Sequence, residues 1–355
     1  MLYKFLYGLT EYWFGFNVFK YITVRIALAT FTSLFLSIFF GPLIIRKLKN
    51  FCHPTLLKFR ENKNSTPTLG GFLILGSFII STILWADLSN VYILLLLFVT
   101  IWLGMLGFWD DYLKLKYNNS KGLRPIIKII GQISVGFIIG LVLYYHSSLN
   151  FNSSVFLPFF KRVIIPLGTY YVLFATFIIV ATSNAVNLTD GMDGLAIGSV
   201  LMVAITYGVI AYVVGNINFS NYLNILYVNG AEEVAVFCGG LIGSCIGFLW
   251  YNCHPAEIFM GDVGSLPLGG IIGLLAIIVK QEISLLFVGG IFVMEALSVV
   301  MQVISFKSRG KRIFLMTPIH HHFELKGWPE GKIVVRFWIL GIIFALFTLI
   351  TLKIR

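Results

Sequence analysis

Charge is what this chain has least of. Asp, Glu, Lys and Arg supply 12% of its 355 residues, whereas 58% are hydrophobic. Soluble domains carry about 25% charged residues, which excludes the two soluble domains that the length alone would allow. Cysteine is scarce too. Cys52, Cys238, Cys245 and Cys253 show neither a disulfide framework nor zinc spacing; Cys238 and Cys245 read as packing residues inside an apolar helix. No HExxH pattern, internal repeat or low-complexity linker occurs. The first residues do not read as a signal peptide, because Lys4, Glu11 and Lys20 interrupt their apolar character and no small-residue cleavage site follows. Their aromatics, among them Tyr3, Phe5, Tyr12, Trp13 and Phe14, suit a segment lying at a membrane interface.

What the chain does have is apolar runs long enough to cross a bilayer. They predict an all-α polytopic membrane protein with helices at about 20–45, 70–87, 91–109, 126–146, 165–186, 194–214, 233–251, 265–280, 283–306 and 333–353. Residues 187–193 form a tight polar turn that makes the fifth and sixth spans a hairpin. The ninth holds Gly289, Gly290 and the ionisable Glu295, a pattern that suits a broken or strongly tilted helix. Alternate loops are then 46–69, 110–125, 187–193, 252–264 and 307–332. With the flanking Lys128 and Arg336, this set carries 18 of the 26 Lys and Arg residues. The positive-inside rule makes these loops cytoplasmic and both termini extracytoplasmic. The net charge of +11 is thereby explained by the bilayer and its anionic lipid, with no nucleic-acid partner.

Aspartate is the rarest charge, with six residues, and five of them (Asp110, Asp111, Asp190, Asp193, Asp262) fall at the ends of spans on the cytoplasmic side. His320, His321 and His322 lie in a further loop of the same face. Each piece has an ordinary alternative. Asp110 and Asp111 could be a solvated helix end, and Asp262 an N-cap. The run from Asn184 through Asn187 and Asp190 to Asp193 could be only a turn, though a heavily furnished one. Taken together, acids, histidines and lysines on one face describe a site for a polar substrate beside the membrane. Oxygen ligands near phosphate favour Mg²⁺ over zinc; adjacent histidines share one ion poorly and are better placed to donate to phosphate oxygens. Transfer between two anionic phosphates requires that charge be cancelled and the attacking oxygen aligned. The carboxylates, with Lys63, Lys114, Lys128 and the histidines, supply those means. A transporter would instead want acids at mid-membrane, where only Glu295 stands.

Five stretches carry a resemblance: Ser65-Thr-Pro-Thr-Leu-Gly-Gly71, Asp110-Asp-Tyr-Leu-Lys114, Asn184-Ala-Val-Asn-Leu-Thr-Asp-Gly-Met-Asp-Gly-Leu-Ala196, Phe259-Met-Gly-Asp-Val-Gly-Ser-Leu266 and Thr317-Pro-Ile-His-His-His-Phe-Glu-Leu-Lys-Gly-Trp328. The chain resembles the polyprenyl-phosphate N-acetylhexosamine-1-phosphate transferase superfamily, and within it the branch that carries phospho-N-acetylmuramoyl-pentapeptide rather than GlcNAc-1-phosphate. The resemblance spans nearly the whole chain and implies ten spans in a bacterial cytoplasmic membrane, UDP-MurNAc-pentapeptide as donor, undecaprenyl phosphate as acceptor and Mg²⁺ as cofactor. It implies that Asp262 is a principal Mg²⁺ ligand, with Asp110 and Asp111 adjacent and one of them open to a role as base. It implies uracil stacking on Phe259, essential cations at Lys114 and Lys128, and substrate contacts from Lys63, Thr68, Asn184, Asn187, Asp190, Asp193, Asn252, Gln302 and His320–His322. The usual motif has Gly and Met where Ser65 and Leu69 stand, which leaves Lys63 less firmly placed. A monomer and a homodimer both remain open, as do direct attack and an aspartyl-phosphate path.

Overall fold

The computed structural model describes residues 2–51, 66–117, 122–146, 153–157 and 164–353. Lys63 and Ser65 lie outside them. The chain opens with α1 (Leu2–Gly8) and two 3₁₀ turns, followed by α2 (Ile22–Phe51), α3 (Gly71–Trp85), α4 (Val91–Lys116) and α5 (Pro125–Tyr145). A two-stranded antiparallel hairpin, β1 (Ser154–Phe156) with β2 (Ile164–Pro166), precedes α6 (Tyr170–Thr189) and α7 (Leu195–Val214). Then come α8 (Ile217–Leu223), α9 (Ala231–Asn252), α10 (Asp262–Ile278), α11 (Leu285–Val288), α12 (Gly290–Arg309), α13 (Ile319–Leu325) and α14 (Glu330–Thr351). The fold is all-α and polytopic. Among the described residues, eight helices are long and apolar enough to cross a membrane. Two further predicted spans coincide with the shorter apolar helices α3 and α10, of 15 and 17 residues. The ninth span is broken at Gly289 into α11 and α12.

Which helix lies inside follows from composition. Every residue of α10 from Val263 to Ile278 is buried, and the helix is apolar all round, as a helix without a solvent or lipid face must be. It packs against α3, α4, α6 and α7, while α9 packs against α2, α3 and α7. Outer helices turn large apolar side chains outward, among them Phe31, Phe35 and Phe39 of α2 and Ile126, Ile130 and Ile133 of α5. In hydrocarbon such exposure has no solvation cost, and the backbone is satisfied within each helix.

Small residues set how closely the central helix is approached. A Cβ on Gly107 of α4 would collide with the carbonyl oxygen of Asp262. Glycine there lets the start of α10 lie directly on α4. α4 itself continues past the predicted end of its span, so Asp110, Asp111 and Lys114 are helical residues held by its last turns. At the other end of the bundle, Arg25 and Glu233 form a buried two-pronged ion pair at 2.6 and 2.9 Å. Glu233 also accepts from the Asp87 N–H at 3.0 Å.

Candidate active site

Two helices deliver the acidic centre. Asp110 and Asp111 come from the end of α4 and Asp262 from the first residue of α10, with ligand oxygens all within 4.8 Å of one another. Two cations meet them. Lys114 Nζ lies 2.5 Å from Asp110 Oδ2, 3.2 Å from Asp111 Oδ1 and 3.0 Å from Asp262 Oδ2. Lys128, from the first turns of α5, lies 2.6 Å from Asp262 Oδ2 and 3.4 Å from Asp110 Oδ2. The other Asp262 oxygen accepts from Asn187 Nδ2 of α6 at 2.7 Å, and the same amide donates to Ser265 at 2.8 Å. Asp262 is thus oriented from both sides.

The start of α10 separates the roles of the acids. Gly261 has φ +71°, a left-handed conformation open to glycine, and Asp262 makes no capping hydrogen bond. The free Val263 N–H is instead taken by Asp111 Oδ2 at 3.1 Å. Asp111 is therefore a cap supplied by a different helix, placed against the positive end of the α10 dipole. Asp110 Oδ1 accepts from the Leu123 N–H at 2.8 Å, while its buried Oδ2 has no aligned donor although both ammonium groups are near. An all-oxygen set of three carboxylates, one of them with such an oxygen, fits a hard divalent cation. Three carboxylates against two ammonium groups leave the centre with excess negative charge.

The remaining predicted residues surround this centre in different ways. Phe259, half-buried, is held by backbone bonds to the motif before α3: its N–H donates to Pro67 O at 2.9 Å and its carbonyl accepts from Gly70 N at 2.8 Å. Thr68 lies within that paired segment. Asn184 sits one turn further into the bundle, donating to Gln132 Oε1 and Val180 O, both at 2.8 Å. Asn252 joins two loops, accepting from Gly194 N at 3.1 Å and donating to Ile258 O at 2.8 Å. Asp190 is half-buried in the turn after α6. Asp193 is buried, accepts from Ala256 N at 3.1 Å and lies 3.2 Å from His254 Nδ1. Glu330 completes that trio by accepting from the Asp193 N–H at 2.8 Å. Its three donor atoms could also hold a cation, but the bonds made by both acids staple the loops to α14.

The histidines do three different things. His320 is wholly buried, 3.1 Å from Glu295, with its ring against Gly191. His321 Nδ1 is 2.8 Å from Glu324. His322 Nδ1 accepts the Leu315 N–H at 3.1 Å; partial desolvation and then the Lys326 charge hold its imidazole below its ordinary pKa, which keeps that nitrogen an acceptor. Gln302 is engaged with the backbone of Ile313 and Phe314. Sequence reasoning missed Ser265 as a partner of Asn187, and missed His254 and Glu330. Ser265 stood inside a quoted motif, but nothing marked the other two.

A centre of this kind, made from helix ends at the rim of an apolar bundle, suits a membrane-embedded transferase. Residues 93–280 match the profile described as glycosyl transferase family 4. The chain is 50% identical to a phospho-N-acetylmuramoyl-pentapeptide-transferase from Thermodesulfovibrio yellowstonii, 52% to one from Geobacter sp. (strain M21) and 48% to one from Brachyspira hyodysenteriae, each over the full length of both chains. The chain belongs to the phospho-N-acetylmuramoyl-pentapeptide-transferase family.

Proposed function

We propose that this protein transfers phospho-N-acetylmuramoyl-pentapeptide from UDP-MurNAc-pentapeptide to undecaprenyl phosphate in a Mg²⁺-dependent reaction. The products are UMP and lipid I of peptidoglycan synthesis, and the site faces the cytoplasm from a bacterial cytoplasmic membrane. The observation that carries this reading is the convergence of Asp110, Asp111 and Asp262 with Lys114 and Lys128.

Asp262, with Asp110 and Asp111 beside it, would hold the Mg²⁺, which when bound supplies neutralisation of diphosphate charge. Lys114 and Lys128 exchange part of their carboxylate contacts for phosphate oxygens, which lowers the repulsion between the two anionic substrates. Asn187 keeps Asp262 in one rotamer as this happens. Phe259 offers its ring to the base. An oxygen of the acceptor phosphate then bonds to the sugar-linked phosphorus, and the bridging P–O bond breaks with its electron pair leaving on UMP. The acceptor phosphate is already largely ionised at neutral pH, so direct attack needs no covalent enzyme intermediate.

Purified protein incubated with both substrates should form lipid I and UMP, and EDTA should stop turnover until Mg²⁺ is restored. Faster turnover of UDP-GlcNAc under the same conditions would replace this reading with that of the sister enzymes.

A further inference from the structure

Beside α13 lies a cleft of about 450 Å³, formed between the last turns of α12 and the segment leading to Thr317. Its far wall is held in place by a set of hydrogen bonds. Gln302 Oε1 accepts from the N–H groups of Ile313 and Phe314 at 2.9 and 3.0 Å, and Gln302 Nε2 donates to Phe314 O at 3.0 Å. Ser305 donates to Lys311 O at 2.9 Å, and His322 accepts from the Leu315 N–H on the other side. Its apolar lining comes from Val303, Phe306, Leu315 and Met316, and Lys307 and Arg312 line it as well. Both cations are exposed, and among the described residues neither has an acidic partner. The cleft ends at Thr317, three residues before His320, whose ring rests on Gly191 between Asp190 and Asp193. The cleft is thereby tied, through α13, to the turn between α6 and α7.

A preformed groove with apolar walls and two unpaired cations complements an extended peptide ending in a carboxylate. Arginine grips a carboxylate through two parallel N–H bonds, and lysine adds a point charge. A muramoyl-linked peptide is attached through its N-terminus and so presents a free C-terminal carboxylate. We infer that this cleft is the subsite for the donor's peptide, with Lys307 and Arg312 holding that carboxylate. The inference rests on the donor proposed above. An anionic lipid headgroup could use the same cations, and an effect confined to the lipid acceptor is one outcome of the test below.

The test compares UDP-MurNAc-pentapeptide with the same donor bearing a C-terminal carboxamide, at saturating undecaprenyl phosphate. The wild-type enzyme should show a KM about tenfold lower for the acid than for the amide, the scale of one charge-assisted hydrogen bond. In a Lys307→Gln, Arg312→Gln double variant the KM for the acid should rise to that for the amide. Its kcat for both donors and its KM for the amide should remain at wild-type values, a split that general loosening of the fold would not produce. Equal wild-type KM values, or an equal rise for both donors in the variant, overturns the subsite. So does an effect confined to the KM for undecaprenyl phosphate, which would make the surface a lipid contact. Absence of any wild-type turnover of the acid donor instead overturns the donor reading, and the subsite falls with it.

Discussion

Nδ1 of His320 stands 3.1 Å from Oε2 of Glu295, with both side chains completely buried. Neither finds another polar partner among the described residues. Glu295 belongs to α12 and His320 to α13, while the opposite edge of the imidazole packs on Gly191 of the turn between α6 and α7. The pair is therefore a strut that fixes the histidine helix against the loop carrying Asp190 and Asp193.

Removing the carboxylate leaves the buried imidazole without that polar neighbour, at a cost of about 1–3 kcal/mol for an unsatisfied buried group. Glu295→Ala should lower the thermal unfolding midpoint of the detergent-solubilised protein markedly. Glu295→Gln retains an acceptor for the imidazole and should lose much less. Equal midpoints for Glu295→Ala and wild type would remove the strut.

Asp262→Asn should lower lipid I formation by on the order of 10²-fold or more, because charge neutralisation is the main task in phosphoryl transfer. Loss of a cap cannot account for such a fall, since the cap of α10 is Asp111. Asp87→Asn is the matched control. Asp87 pairs with the exposed Lys4 at 2.7 Å, at the opposite end of the bundle, and its replacement should be nearly silent. Near-normal turnover by a folded Asp262→Asn protein would overturn the metal assignment.

Gly107→Ala places a methyl where the Asp262 carbonyl lies. The start of α10 must move, and a displacement of about 1 Å at a catalytic group can cost on the order of 10²-fold. We expect a loss of ten- to hundredfold in kcat, with modest destabilisation of about 1–3 kcal/mol from overpacking. Unchanged kcat would mean that α4 and α10 need not touch so closely.

His322 makes a pH prediction. Its folded pKa lies below that of an ordinary imidazole, so its contribution is fully present above the unfolded value and is lost as pH falls through the folded one. Protonation removes the acceptor that holds the Leu315 N–H. Hydrogen exchange at Leu315, corrected for intrinsic rates, should therefore become faster as pH falls below the ordinary imidazole range. His322→Ala should show the fast rate at every pH. Protection that does not change between pH 7 and pH 5 would count against this.

Orientation is tested by labelling. An impermeant thiol reagent applied to intact cells should miss a cysteine placed at residue 118 and reach one placed at 218, over the native background. The reverse pattern would move the site to the outer face.

Much of the architecture was legible because a bilayer imposes a simple rule on the chain. Each crossing must satisfy its own backbone, so each announces itself as a long apolar run. The glycine pair and Glu295 marked the break before α12 for the same reason: an irregularity at that depth must be accommodated by protein. The short α10 was legible as apolar, but its central position was not, since an apolar helix reads alike whether it faces lipid or other helices. The motifs likewise marked Asp110, Asp111, Lys114, Asn187 and Asp262, and the resemblance added Lys128; the structure brings these residues together.

The division of labour among those residues was decided only by tertiary contacts. Read alone, Asp262 before a helix is an N-cap candidate; in the fold the cap comes from Asp111, 151 positions earlier, and Asp262 is turned toward Lys114, Lys128 and Asn187. Three adjacent histidines look equivalent in a sequence, yet successive helical positions point about 100° apart, so one is buried on Glu295, one meets Glu324 and one holds a loop. Sequence alone determined the apolar spans, their charge asymmetry and the chemistry available at their ends, because these depend on local composition and on the membrane as solvent. Which end group meets which, and what each is left free to bind, depends on packing between helices far apart in the chain, and a pattern along one strand of residues carries no record of that.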